Sequence, residues 1–124
     1  MRVDPHIVAR ITNSAGREIY VRPPYNPARV LDAEVATRMT SMMGAVVLRG
    51  TGTGARIGDR DIAGKTGTAE IPTPIGYLDG QSIASFIGFF PADDPQVIVL
   101  IKLDRPVDYW GSQTAAPAFQ QLAE

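Results

Sequence analysis

The string Ala63-Gly64-Lys65-Thr66-Gly67-Thr68-Ala69 places a fixed positive charge beside two hydroxyl donors, with a glycine between the hydroxyls. Its Gly-Lys-Thr core invites comparison with a phosphate-binding P-loop, which needs a glycine five positions before the glycine that precedes lysine. That position is Asp59, with Gly58 one residue out of place, and a carboxylate there would oppose phosphate. A P-loop lysine also opens a helix, whereas Lys65 is followed by Thr, Gly, Thr and then Pro72, a continuation unsuited to helix. Read instead as a strand, the same residues make a site for a carboxylate and a peptide. Lys65 supplies charge, Thr66 and Thr68 supply neutral donors, and Gly67 removes a side chain so that a second backbone can approach. A peptide laid beside such a strand would pair with its free N–H and C=O groups while its terminal carboxylate met the ammonium and the hydroxyls.

The remaining chemistry-bearing residues read more simply. There are no cysteines, which excludes a disulfide framework, a thiolate metal site and a cysteine nucleophile. His6 is the only histidine and cannot supply a zinc cage, so neither a metal nor a cofactor is expected. Asp93-Asp94 falls in a predicted turn, where solvated aspartates are ordinary. Met39, Met42 and Met43 read as helix core, and Tyr109 with Trp110 as packing anchors. A net charge of -1 with both signs interspersed gives no field to steer nucleic acid or an anionic membrane. No apolar run suits a signal peptide or approaches the roughly 20 residues of a bilayer span, so membrane contact by this segment is not expected.

The elements that must hold the lysine string follow from periodicity and punctuation. His6 to Thr12 and Glu18 to Arg22 flank the turn-forming Asn13-Ser14-Ala15-Gly16 and predict a β-hairpin. Pro23 to Pro27 is a connector. A helix is expected from an N-cap at Asp32 to about Gly50, with Val35, Met39, Met42 or Met43, Val46 and Val47 on a core-facing stripe. The glycine-rich Gly50 to Gly54 then leads to a strand over Asp61 to Ile71, and Thr73 to Gly80 reads as a loop. Ser82 to Phe90 and Gln96 to Leu103 carry apolar residues on both faces, predicting an antiparallel hairpin whose first strand is central and covered on both sides. Ala115 to Glu124 completes the chain as a short helix with Pro117 in its first turn and Phe119 and Leu122 facing inward. The fold class expected is α+β: an antiparallel three-stranded sheet packed with the two helices, plus an N-terminal hairpin.

Lys65-Thr66-Gly67-Thr68 resembles the Lys-Thr-Gly motif of penicillin-binding proteins and serine β-lactamases. The flanks extend the resemblance: Val46-Val47 through Gly50-Thr51-Gly52, then Ser85 to Pro91, then Gly111-Ser112 with Ala115 to Phe119. In order and spacing these are similar to the terminal portion of class B penicillin-binding proteins, the monofunctional D,D-transpeptidases that cross-link cell-wall peptides. The resemblance implies that Lys65 supports the electrostatics beside a substrate carboxylate, and that Thr66 and Thr68 bind that carboxylate in a peptidoglycan stem peptide or a β-lactam. It also implies that the Thr68 backbone N–H is one donor of the oxyanion hole, and that the chain works at the extracytoplasmic face of a bacterial membrane.

The family's other motifs, Ser-x-x-Lys and Ser-x-Asn, are missing. Ile62 and Val99 stand three residues before Lys65 and Lys102, and Ile11 and Pro24 stand two before Asn13 and Asn26. Residues 1–124 therefore read as the C-terminal portion of a transpeptidase domain without its nucleophile, inactive alone. The resemblance implies a five-stranded sheet of which three strands are present, with one edge awaiting a complementary chain, a missing N-terminal segment or self-association. A non-catalytic module that binds peptides or assembles by strand addition is the alternative, and a serine β-lactamase fragment is a third reading that the C-terminal flanks disfavour.

Overall fold

The computed structural model describes residues 4–26 and 28–124, which divide into two compact units, one ending at Ala36 and the other beginning at Thr37. In the first, strands β1 (Arg10–Thr12) and β2 (Glu18–Val21) pair antiparallel, with Arg10 opposite Val21 and Ile11 opposite Tyr20. The predicted hairpin is present but shorter than its apolar pattern. Asn13 closes the turn: its side-chain oxygen accepts from the N–H groups of Ala15 and Arg17, 3.0 and 2.9 Å away, and Gly16 takes a φ of 78°. Arg10 and Glu18 form an exposed ion pair across the strands at 3.1 Å.

Helix α1 (Ala33–Arg49) begins in the first unit and continues in the second. Asp32 stands just before it and its carbonyl accepts from Ala36 N–H at 3.0 Å. Of the expected apolar stripe, only Val47 is buried; Val35, Met39 and Met42 are exposed. Within the second unit the helix joins the core through Val47, near its C-terminal end. Its end is closed by the N–H groups of Gly50 and Gly52, both donating to the Val46 carbonyl at 3.0 and 3.1 Å.

A sheet in the order β3-β4-β5 follows: β3 (Ala63–Thr73), β4 (Gly76–Phe90) and β5 (Val97–Asp104), each neighbouring pair antiparallel. The loop expected over Thr73 to Gly80 is instead a turn of Pro74 and Ile75 between two long strands. Pro72 is accommodated because β3 is an edge strand and its register slips there: between the pairs Glu70↔Ser82 and Pro72↔Tyr77 lies only Ile71 on β3, against Leu78 to Gln81 on β4.

β4 is central, as expected, but the described residues cover one face only. Ser82, Ala84, Phe86 and Gly88 are buried beneath helix α2 (Ala115–Ala123) and the 3-10 turn Thr53–Ala55. The opposite face carries Ile87, and on β5 Ile98 and Leu100 are 68% and 61% exposed. Phe119 anchors α2 with no exposed area, meeting Phe86 edge-on at a centroid distance of 4.8 Å and Phe90 at 6.2 Å. Gly88 makes this possible, since a Cβ there would stand 2.9 Å from the Phe119 ring. Leu122, expected inside, is 68% exposed, because the stripe of α2 that meets the core runs through Ala115, Ala116, Phe119 and Ala123 and Leu122 falls beside it. Val47, Ala55, Ile57, Ile62, Phe86, Ala115, Ala116 and Phe119 form the core.

Candidate functional site

Lys65 to Thr68 is extended, as the strand reading requires, and lies in β3 opposite Ile87, Phe86, Ser85 and Ala84. Among the described residues β3 is paired on one side only, and its other side is a free edge. Strand alternation sorts the side chains: Thr66 and Thr68 share the helix-covered face with Phe86 and Ala84, while Lys65 and Gly67 share the bare face with Ile87 and Ser85. The main chain is sorted in the same way. A Cβ on Gly111 would collide with the Gly67 carbonyl oxygen and lie 2.6 Å from that of Ser85, so these two carbonyls face each other across the ladder. In an antiparallel pair this turns the N–H and C=O of Thr66 and Thr68 outward, to the free edge.

Each hydroxyl is held from behind. Thr51, between the two glycines that close α1, brings its hydroxyl oxygen 2.8 Å from that of Thr66. The Gly111 N–H donates to the Thr68 hydroxyl oxygen at 3.1 Å. Thr51 is fixed by the glycines: a Cβ at Gly50 would lie 2.9 Å from Val46 Cα, and one at Gly52 would press on Val46 and Phe86 at 3.1 and 3.2 Å. Gly111 is fixed by its neighbours. Ser82 donates its hydroxyl to the Tyr109 carbonyl at 2.5 Å, and Ala116 N–H donates to the Gly111 carbonyl at 2.9 Å. The segment 109–111 thus lies flat on β4 and β3.

The Lys65 ammonium is exposed and donates to the Thr66 carbonyl at 3.2 Å, which returns it from the bare face to the free edge. A cation, two hydroxyls whose oxygens already accept or share a proton from behind, and the outward N–H and C=O groups of Thr66 and Thr68 therefore border one edge. Such an edge can pair with an extended peptide and hold its carboxylate, each charge-assisted hydrogen bond contributing about 1.5 to 3 kcal/mol. Gly67, on the bare face, carries no side chain to obstruct an approaching backbone; a Cβ there would meet the Ser85 hydroxyl at 2.6 Å.

The structure brings all four predicted residues together on one strand. Thr51 and Gly111 were not singled out from the sequence as site residues, since nothing in local pattern shows that positions 15 and 43 residues away contact the strand. Tyr109 and Trp110 differ from expectation. They meet edge-on at 5.0 Å, but Trp110 is 55% exposed, and the segment is anchored by its main chain rather than by its rings.

Residues 1–124 match the family described as penicillin binding protein transpeptidase domain. The chain is 35% identical to a probable peptidoglycan D,D-transpeptidase PenA of Neisseria flavescens, covering 76% of this chain and 24% of that protein. It is 34% identical to penicillin-binding protein PbpB of Mycolicibacterium smegmatis, covering 99% of this chain and 21% of that one. Among solved structures, penicillin binding protein 3 of Mycobacterium tuberculosis complexed with ampicillin superposes with a TM-score of 0.84 at 33% identity, covering 98% of this chain and 29% of that one. The chain thus spans less than a quarter of the length of these curated relatives.

Proposed function

On the premise that this chain belongs to the penicillin binding protein transpeptidase domain family, as the match over residues 1–124 shows, we propose that it is the substrate-strand portion of a serine D,D-transpeptidase acting on peptidoglycan stem peptides at the extracytoplasmic face of a bacterial membrane. Thr66 and Thr68 hold the carboxylate of the acyl-donor peptide or of a β-lactam, and Lys65 supports the electrostatics beside it. Gly67 admits the peptide backbone. The Thr68 N–H, which faces the free edge, is one donor of the oxyanion hole, a role worth about 3 to 4 kcal/mol of transition-state stabilisation. The observation that carries this reading is the accessible edge of β3, where hydroxyls braced by Thr51 and Gly111 stand beside an exposed ammonium.

The acyl-accepting serine and its base come from a segment outside residues 1–124, because no Ser-x-x-Lys or Ser-x-Asn is present. The bare face of the sheet, which bears Lys65, Ile98 and Leu100, is where that segment packs. Two observations support this occupant: the solved relative that matches nearly all of this chain is more than three times as long, and the face is too apolar to be left to water. Among the described residues no helix is long and apolar enough to cross a membrane.

A labelled penicillin tests the proposal. Residues 1–124 alone are expected to remain unlabelled, and to support covalent labelling once the upstream segment bearing Ser-x-x-Lys is supplied. Labelling of the isolated chain, or none after the segment is restored, would overturn it. The non-catalytic alternative, peptide capture by strand addition, is favoured only by the free edges of β3 and β5, and it predicts no covalent adduct in either case.

A further inference from the structure

We infer that Thr51 is a positioning residue for the carboxylate site, acting through Thr66 rather than on the substrate; this rests on the substrate-strand reading above. Thr51 and Thr66 are 2.8 Å apart, and either oxygen can be the donor while the strand is empty. An anion removes that freedom. A carboxylate only accepts, so the Thr66 proton turns toward it, and the bond to Thr51 then survives only with Thr51 as donor. The chain of donors runs from Thr51 to Thr66 to the anion, each bond polarising the next.

Thr68 has the same wiring by a different donor. Its oxygen receives the Gly111 N–H, which cannot reverse, so Thr68 is always the acceptor in that bond and its own proton stays available to a ligand. The two hydroxyls are thus braced differently, one by a main-chain group and one by a side chain that can be replaced. Thr51 is itself exposed, and its backbone is held by the Gly50 and Gly52 contacts with Val46 rather than by its side chain, so a substitution there leaves the core untouched.

The test is a titration of isotope-labelled chain with N-acetyl-D-alanyl-D-alanine and with its methyl ester, which keeps the peptide and lacks the charge, read at the backbone amides of Thr66 to Thr68. The unsubstituted chain is expected to respond to the acid and to bind it more tightly than the ester. Thr51→Val, which keeps the shape and removes the donor, should weaken the acid about fivefold and leave the ester unchanged. Thr51→Ser, which restores the donor, should bind the acid within about twofold of the unsubstituted chain. An unaltered acid affinity in Thr51→Val, an equal loss for acid and ester, or no recovery with serine overturns the inference alone. No response of the unsubstituted chain to the acid overturns the substrate-strand reading as well, and the two failures are told apart by that control.

Discussion

A methyl group on Gly111 would have nowhere to go. Its carbon would collide with the Gly67 carbonyl oxygen and come within 2.6 Å of that of Ser85, both of them strand backbone that cannot rotate away. The segment 109–111 would have to lift, and with it the N–H that braces the Thr68 hydroxyl. Gly111→Ala is therefore expected to destabilise the fold by about 1 to 3 kcal/mol, as overpacking against a rigid neighbour does. Denaturant unfolding measures the loss, and the Thr68 amide signal should move in the same variant. An unchanged midpoint with an unmoved Thr68 would show that the segment does not rest on the strand. The four site residues were legible in sequence because cation, hydroxyls and glycine are contiguous. Their braces were not, since Thr51 and Gly111 reach the strand only through the packing of α1's end and of the 109–111 segment.

At the scale of the element, β3 should betray its free edge by the rhythm of hydrogen exchange. Lys65 and Gly67 direct their N–H groups to β4, and Thr66 and Thr68 direct theirs to solvent. Exchange is expected to be slow at the first pair and fast at the second, and uniform protection across residues 65 to 68 would mean that another strand already occupies the edge. α2 makes a complementary prediction. Its hold on the sheet is concentrated in Phe119, which has no exposed area and lies against Phe86 and Phe90. Phe119→Ala should cost about 3 to 5 kcal/mol, a large share of the roughly 5 to 15 kcal/mol that stabilises a typical domain. Loss of helical circular dichroism at a lower denaturant concentration is the readout. The order and type of these elements were plain from periodicity. The turn at Pro74-Ile75 was not, because paired prolines read as a loop unless one knows that β3 is an edge strand whose register slips at Ile71.

For the molecule as a whole, the apolar pattern says more than the packed core does. The sequence predicts β4 covered on both faces and β5 apolar on both, and that pattern fits the sequence better than it fits residues 1–124: Ile98 and Leu100 are 68% and 61% exposed, on the face that also bears Lys65. Pattern records the surroundings in which a strand is meant to work, and among the described residues nothing covers this face. If the rest of a transpeptidase domain is what covers the face, then the isolated chain should behave as a molecule with an unfinished interior. It should bind a hydrophobic dye and grow in mean mass with concentration, by light scattering. Leu100→Lys should reduce both effects without lowering the unfolding free energy by more than about 0.5 kcal/mol, since an exposed side chain makes little contribution to the core it does not touch. The same lysine should prevent the upstream segment from restoring penicillin labelling, because a charge would then be sealed without a partner. A chain that stays monomeric and dye-free, or a Leu100→Lys variant that still regains full labelling, would mean that this face is left to water and that the nucleophile arrives by another route.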